Sequence, residues 1–198
     1  MSGESGIGKT ALLEEFERRS TGARWLWGAC DGLLTPRPLG PLFDMAGQAD
    51  GELADLSRDG APRDRLFEAF LAELGSPAHR TVAVIEDVHW ADEATLDLVS
   101  FAGRRLSRTR GLLLITYRDD ELADDHPLRI VLGDLATQRA TRRMGLPPLS
   151  PEAVRALAGA RDAKAAAGAG GRPGPAGDAA GVGAGVDELY RVTGGNPF

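Results

Sequence analysis

Apolar residues along the chain fall into two patterns, and the two alternate. Thr81-Val82-Ala83-Val84-Ile85 is an unbroken apolar run with β-branched members. With no polar residue every second position, it predicts a strand buried on both faces of a parallel sheet. Gly111-Leu112-Leu113-Leu114-Ile115-Thr116-Tyr117 repeats that pattern, and Arg24-Trp25-Leu26-Trp27-Gly28-Ala29 predicts a shorter strand. A last strand is expected at 140–146, where Arg142 and Arg143 interrupt the run. Helical spacing separates these runs. Leu66, Phe67, Phe70, Leu71 and Leu74 predict a helix over 63–74. Further helices are expected at 11–16, from Leu42, from an Asp92 cap to about Leu106, over 127–135, and from a Ser150 cap with Pro151 in the first turn. The polar stretch 49–59 carries no predicted element. Strands alternating with helices make an α/β domain.

Composition changes that picture at one place. From 159 to 185 the chain turns to Ala, Gly and Pro with few apolar anchors, which predicts a flexible insert. The expected organisation is therefore a core over 1–158, the insert over 159–185, and a helical segment over 186–198 ending in Gly194-Gly195-Asn196-Pro197-Phe198. Elsewhere, 42% apolar and 26% charged residues suit a globular protein. A net charge of −6 argues against nonspecific nucleic-acid or membrane binding by this segment. Arg104, Arg105, Arg108, Arg110, Arg142 and Arg143 thus read as solvated faces rather than a nucleic-acid patch. Cys30 is the single cysteine, which excludes a disulfide framework or a thiolate metal cluster. With no span-length apolar run and no signal peptide, a cytoplasmic protein is expected.

The chemistry concentrates at Gly3-Glu4-Ser5-Gly6-Ile7-Gly8-Lys9-Thr10, which fits G-x-x-x-x-G-K-[ST]. Glycines let backbone N–H groups approach phosphate oxygens with no Cβ in the way. Lys9 supplies a point charge, Thr10 a hydroxyl for Mg²⁺, and the helix entered at Ala11 a positive end. In ordinary composition the pattern arises by accident in roughly one chain of this length in a hundred. A second signal stands downstream. Glu86 and Asp87 close the buried strand at its C-terminal end, where open α/β sheets place ligands and where a carboxylate holds Mg²⁺ directly or through water. Arg118 closes the next strand; it reads either as a γ-phosphate sensor or as a surface arginine paired with Asp119 or Glu121. His89 reads either as catalytic or, beside Trp90, as structural.

These motifs, with Val84-Ile85-Glu86-Asp87-Val88-His89-Trp90-Ala91-Asp92, Thr116-Tyr117-Arg118 and Thr193-Gly194-Gly195-Asn196-Pro197-Phe198 in that order, resemble the AAA-like P-loop ATPase module of STAND-type signalling proteins. Among these, the chain resembles the large ATP-binding LuxR-type transcriptional regulators of bacteria. The resemblance implies a three-layer α/β/α fold with a mainly parallel sheet in the order 5-1-4-3-2. It implies ATP/ADP and Mg²⁺ as cofactors, with Gly3, Glu4, Ser5, Gly6, Ile7, Gly8, Lys9, Thr10 and Ala11 at the phosphates and Pro197 at the base. Thr10, Glu86 and Asp87 are its metal-side residues, and Glu86, Asp87 and Arg118 its catalytic ones.

The implied function is a slowly hydrolysing ATP switch within a signal-responsive regulator, self-associating in response to ATP. DNA binding is expected outside this segment, and no membrane partner is expected. The alternatives are an inert remnant of such a module, a small-molecule or nucleotide kinase, or a parent that carries a cyclase or protein kinase domain. One departure stands out: only Met1 and Ser2 precede the phosphate loop, where the resemblance places a central strand. Without that strand, 140–146 is expected to lose its link to the sheet, leaving the chain marginal in stability or unfolded by itself.

Overall fold

The computed structural model describes the chain over residues 1–168, 190, 191 and 193–196, with side-chain surroundings described as far as 159 in the first of these stretches. It forms two compact units, one of Met1–Glu4 and Lys9–Gly145, the other of Ser5–Gly8 and Leu146–Phe198.

The first unit is built on three parallel strands, β1 (Ala23–Ala29), β2 (Arg80–Glu86) and β3 (Leu112–Ile115), in the order β1-β2-β3. Trp25 lies opposite Val82, and Val82 opposite Leu112. Successive side chains of a strand point to opposite faces, so β2 divides its apolar run between two clusters. Val82 and Val84 pack with Leu13, Trp25, Trp27 and Leu114 on the face covered by α1 (Lys9–Arg19). Ala83 and Ile85 join the larger core on the other face. That core is closed by α2 (Gly40–Gln48), α3 (Glu52–Arg58), α4 (Arg63–Leu74), α5 (Glu93–Gly103) and α6 (Pro127–Ala136), through Leu42, Met45, Leu53, Phe67, Phe70, Val99 and Leu128. Helices on both faces of a parallel sheet make the three layers expected. Gly28 sets the spacing of one layer, because a Cβ there would stand 2.3 Å from the Pro41 carbonyl oxygen of α2.

Several boundaries differ from the sequence reading. The stretch 49–59 holds α3, whose buried Leu53 and Ala54 are too few to show a helical period. Helix α5 ends at Gly103, and a separate 3-10 turn covers Leu106–Arg108. Another 3-10 turn, Val88–Trp90, follows β2. The expected strand at 140–146 reduces to one bridge at Gly145. The expected loss of its link to the sheet is corrected as well, for Ser2 bridges in parallel to both Tyr117 and Gly145. The Met1 nitrogen donates to the Ile115 oxygen at 2.6 Å, Tyr117 N–H to the Met1 oxygen at 3.1 Å, and Ser2 N–H to the Met144 oxygen at 2.8 Å. Two residues thus hold the central position, and they reproduce the order 5-1-4-3-2.

In the second unit, Ser150 Oγ accepts the Ala153 N–H at 3.2 Å and starts α7 (Pro151–Gly168). The first ten residues of the expected insert, 159–168, are therefore helical, as alanine's helix preference allows. The remainder, 169–185, lies outside the described residues. Leu149 N–H donates to the Gly195 oxygen at 2.9 Å, and Gly194 N–H to the Tyr190 oxygen at 2.8 Å. Among the described residues no helix is long and apolar enough to cross a membrane.

Candidate functional site

The carboxyl ends of the strands carry the candidate chemistry. At β2 the chain must leave the sheet sharply, and Asp87 takes a left-handed conformation to do so, with φ 53° and ψ 44°. Such a conformation is uncommon outside glycine, though Asp tolerates it better than most residues. Thr116 holds the turn: its buried Oγ1 accepts the Asp87 N–H at 3.0 Å, and its carbonyl accepts the Val88 N–H at 2.8 Å. Glu86 and Asp87 are both half-buried at this edge.

At the start of α1, Lys9 is buried, and its ammonium donates to the carbonyl oxygens of Gly3 at 2.7 Å and Glu4 at 2.8 Å. Burial pulls its pKa down, while the nearby Asp87 acts in the opposite sense and Arg118 adds to the fall. Among the described residues it forms no ion pair. A buried cation whose hydrogen bonds go to neutral carbonyls is able to receive an anion. The next residue, Thr10, donates from its hydroxyl to Glu86 Oε1 at 2.5 Å. A hydroxyl and a carboxylate are thereby brought together from segments 76 positions apart. Both are hard oxygen ligands of the kind Mg²⁺ takes. Among the described residues, no three His, Cys, Asp or Glu side chains gather into a metal site of their own.

The middle of the motif belongs to the second unit. Gly6 and Gly8 have φ of 71° and 95°, values that a Cβ would strain, so glycine at both positions is a backbone requirement. Ile7 between them is buried. The Ser5 carbonyl accepts the Asn196 side-chain amide at 2.7 Å. Ala11, in the first turn of α1, is exposed. Pro197 lies outside the described residues.

Arg118 pairs with one of the carboxylates expected near it. Its Nη1 donates to Glu121 Oε1 at 2.5 Å, and its guanidinium lies 5.0 Å from the Trp90 ring centroid. The Glu121 hydrogen bond raises the arginine's pKa, and the Arg118 bond holds the Glu121 carboxyl below the usual carboxylate range. His89 is buried, and burial holds its pKa down against the pull of Asp87 and Glu121. Its Nδ1 accepts the Arg118 N–H at 3.4 Å, and its buried Nε2 makes no hydrogen bond among the described residues. Of the surface arginines, Arg104 pairs with Asp134, and Arg105 lies 3.9 Å over the Phe101 ring.

Lys9, Thr10, Glu86, Asp87 and Arg118, named from sequence, thus collect at one edge of the first unit. Thr116 and Asn196 were not singled out. Their only sequence signals are the positions they hold in Thr116-Tyr117-Arg118 and Gly195-Asn196-Pro197.

Comparison with known proteins gives a consistent picture. The sequence profile of the AAA ATPase domain family matches residues 1–115. No curated protein matches the chain. The fold is similar to that of a Signal Transduction ATPase with Numerous Domains (STAND) protein with a tetratricopeptide repeat sensor from Pyrococcus horikoshii. That likeness has 14% identity and a TM-score of 0.56, over 99% of this chain and 25% of the other. It is also similar to Cdc6p from Pyrobaculum aerophilum, at 17% identity and a TM-score of 0.54, over 82% of this chain and 42% of the other. The chain thus spans a quarter to two-fifths of the length of these proteins.

Proposed function

This chain belongs to the AAA ATPase domain family, and on that premise we propose that it is an ATP-binding regulatory module whose phosphate loop and strand-end acids read the state of a bound nucleotide. The observation that carries the proposal is Lys9, a buried ammonium held by the Gly3 and Glu4 carbonyls beside the Thr10–Glu86 pair. Gly3, Glu4, Ser5, Gly6, Ile7, Gly8, Lys9, Thr10 and Ala11 would hold the phosphates, and Thr10 and Glu86 the Mg²⁺, with Asp87 beside them. The metal would supply charge neutralisation at the phosphate oxygens. Asp87 is assigned to orient the attacking water in a slow hydrolysis, Arg118 to contact the γ-phosphate, and Pro197 to contact the base.

The finer reading places the module in a bacterial signal-responsive transcriptional regulator of the large ATP-binding LuxR type. Its support is the order of the four sequence motifs. ADP would hold a closed form and ATP an open one that self-associates, and DNA binding would belong to other parts of the parent protein. For a nucleotide to switch such a module, its two states must differ by a few kcal/mol in their affinity for it.

Calorimetric titration of the whole chain with ATP and with ADP, with and without Mg²⁺, tests the proposal. Lys9→Ala is expected to weaken both nucleotides at least about tenfold, as loss of a charge-assisted contact to phosphate implies. Glu86→Gln should remove mainly the Mg²⁺-dependent part of binding. Asp87→Asn, which also tolerates the left-handed turn, should keep binding and slow hydrolysis. Unchanged affinity in both Lys9→Ala and Glu86→Gln would refute the proposal.

A further inference from the structure

Arg118 is held by more than the strand that presents it. Its guanidinium is clasped on one side by Glu121 Oε1 and lies over the indole of Trp90. Three-quarters of its side chain is out of water, 23% being exposed. The other oxygen of the same carboxylate, Glu121 Oε2, stands 3.3 Å from His89 Nε2, yet the two do not meet hydrogen-bond geometry. Because His89 Nδ1 accepts the Arg118 backbone N–H, the neutral ring carries its proton on Nε2, which faces Glu121. The ring is fixed in place. Its side chain is 1% exposed, and the carbonyl of the same residue accepts from His126 Nε2 at 3.0 Å. His126 in turn accepts the Leu128 N–H on Nδ1 and so donates from Nε2.

One carboxylate therefore stands between two donors. It is bonded to one, Arg118, and slightly misaligned with the other, the buried His89 Nε2–H. A buried N–H without a partner costs about 1–3 kcal/mol, so a small turn of the carboxylate toward it is favourable once the arginine lets go. We propose that Glu121 is a positioning residue that parks Arg118 over Trp90, that a γ-phosphate competes with Glu121 for the guanidinium, and that the released carboxylate closes onto His89 Nε2–H. The exchange rests on the nucleotide-binding reading above and adds its discriminating element. ADP offers Arg118 no γ-phosphate and leaves the parked pair intact; ATP must break that pair. Glu121 thereby sets how strongly ATP is preferred over ADP.

The test is titration of the whole chain with Mg²⁺ and either ADP or a non-hydrolysable ATP analogue, in wild type, Glu121→Gln, Arg118→Ala and the double variant. Glu121→Gln keeps the shape of the side chain and removes the charge that holds the arginine. It should tighten the ATP analogue about three- to fivefold, the scale of a partly exposed ion pair, and leave ADP unchanged. In the Arg118→Ala background the same substitution should have no effect. Equal changes for the two nucleotides, no change, or an effect that survives Arg118→Ala would each overturn the proposal.

An independent readout does not alter Glu121. With Trp25 and Trp27 of β1 replaced by Phe, Trp90 is the sole tryptophan. Its emission should change on adding the ATP analogue, as the guanidinium leaves the ring, and should stay constant with ADP. Identical responses to both would again overturn the parking. If wild type binds neither nucleotide, the functional reading itself fails and the exchange falls with it. Binding without discrimination refutes the exchange alone.

Discussion

Thr116 shows how much of the site depends on one atom. Its Oγ1 is the acceptor for the Asp87 N–H, at the residue whose left-handed backbone turns the chain out of β2 just after Glu86. Valine has nearly the same shape without that oxygen. Thr116→Val should therefore destabilise the folded protein by about 1–3 kcal/mol, the cost of an unpaired backbone donor, measured by urea denaturation. It should also weaken Mg²⁺-dependent nucleotide binding by disturbing Asp87. Unchanged stability would mean that the turn holds itself. At this scale the sequence disclosed residue types more readily than partners. Lys9, Thr10, Glu86 and Asp87 were legible because a spacing motif and a strand end announce them. Thr116 was not, because a threonine inside an apolar run looks like any β-branched strand residue. Arg118 lay between: a carboxylate partner among Asp119 and Glu121 was in view, and its place over Trp90 was not.

Among the elements, α5 depends most visibly on its first residue. Asp92 Oδ1 accepts the Ala94 and Thr95 N–H groups at 2.9 and 3.1 Å. Its Oδ2 accepts the Thr95 hydroxyl at 2.5 Å and the Leu39 N–H at 3.3 Å. One side chain thus caps α5 and also secures the left-handed Leu39 that enters α2. Asp92→Ala should cost about 1–2 kcal/mol, at the upper end for a lost cap, with the urea midpoint as readout. A loss below about 0.5 kcal/mol would reduce Asp92 to an ordinary surface residue. The helices with several apolar anchors at regular spacing, α4 above all, were readable from sequence. Helix α3 was not, since its seven residues bury only Leu53 and Ala54 and gain their order from packing against α4 and α2. The bridge at Gly145 marks the converse case. There a strand-like pattern forms, among the described residues, a single rung with Ser2.

For the whole molecule, the central position between β3 and Gly145 is held by Met1 and Ser2, directly before the phosphate loop. Ligand binding at that loop should therefore be read as stability of the entire chain. At a nucleotide concentration a hundred times Kd, binding to the folded state alone adds about 2.7 kcal/mol. For a chain of this size that raises Tm by roughly 5–10 °C. Scanning calorimetry with Mg²⁺ and ATP should show such a rise in wild type and none in Lys9→Ala. The same Tm at saturating ATP in both would contradict a site coupled to the fold.

The sequence by itself determined the class of the fold, the glycine–lysine motif ahead of α1 and the two acids at the end of β2. Each of these is written in local spacing: a continuous apolar run, a 3.6-residue period, or glycines and a lysine at fixed intervals. Tertiary structure alone decided that two residues hold the centre of the sheet, that Thr10 meets Glu86, and that Glu121 stands between Arg118 and His89. Those outcomes depend on which rungs, hydroxyls and carboxylates from distant segments reach the same few ångströms. Hydrogen bonding is specific only at that range, and no period along the chain encodes it.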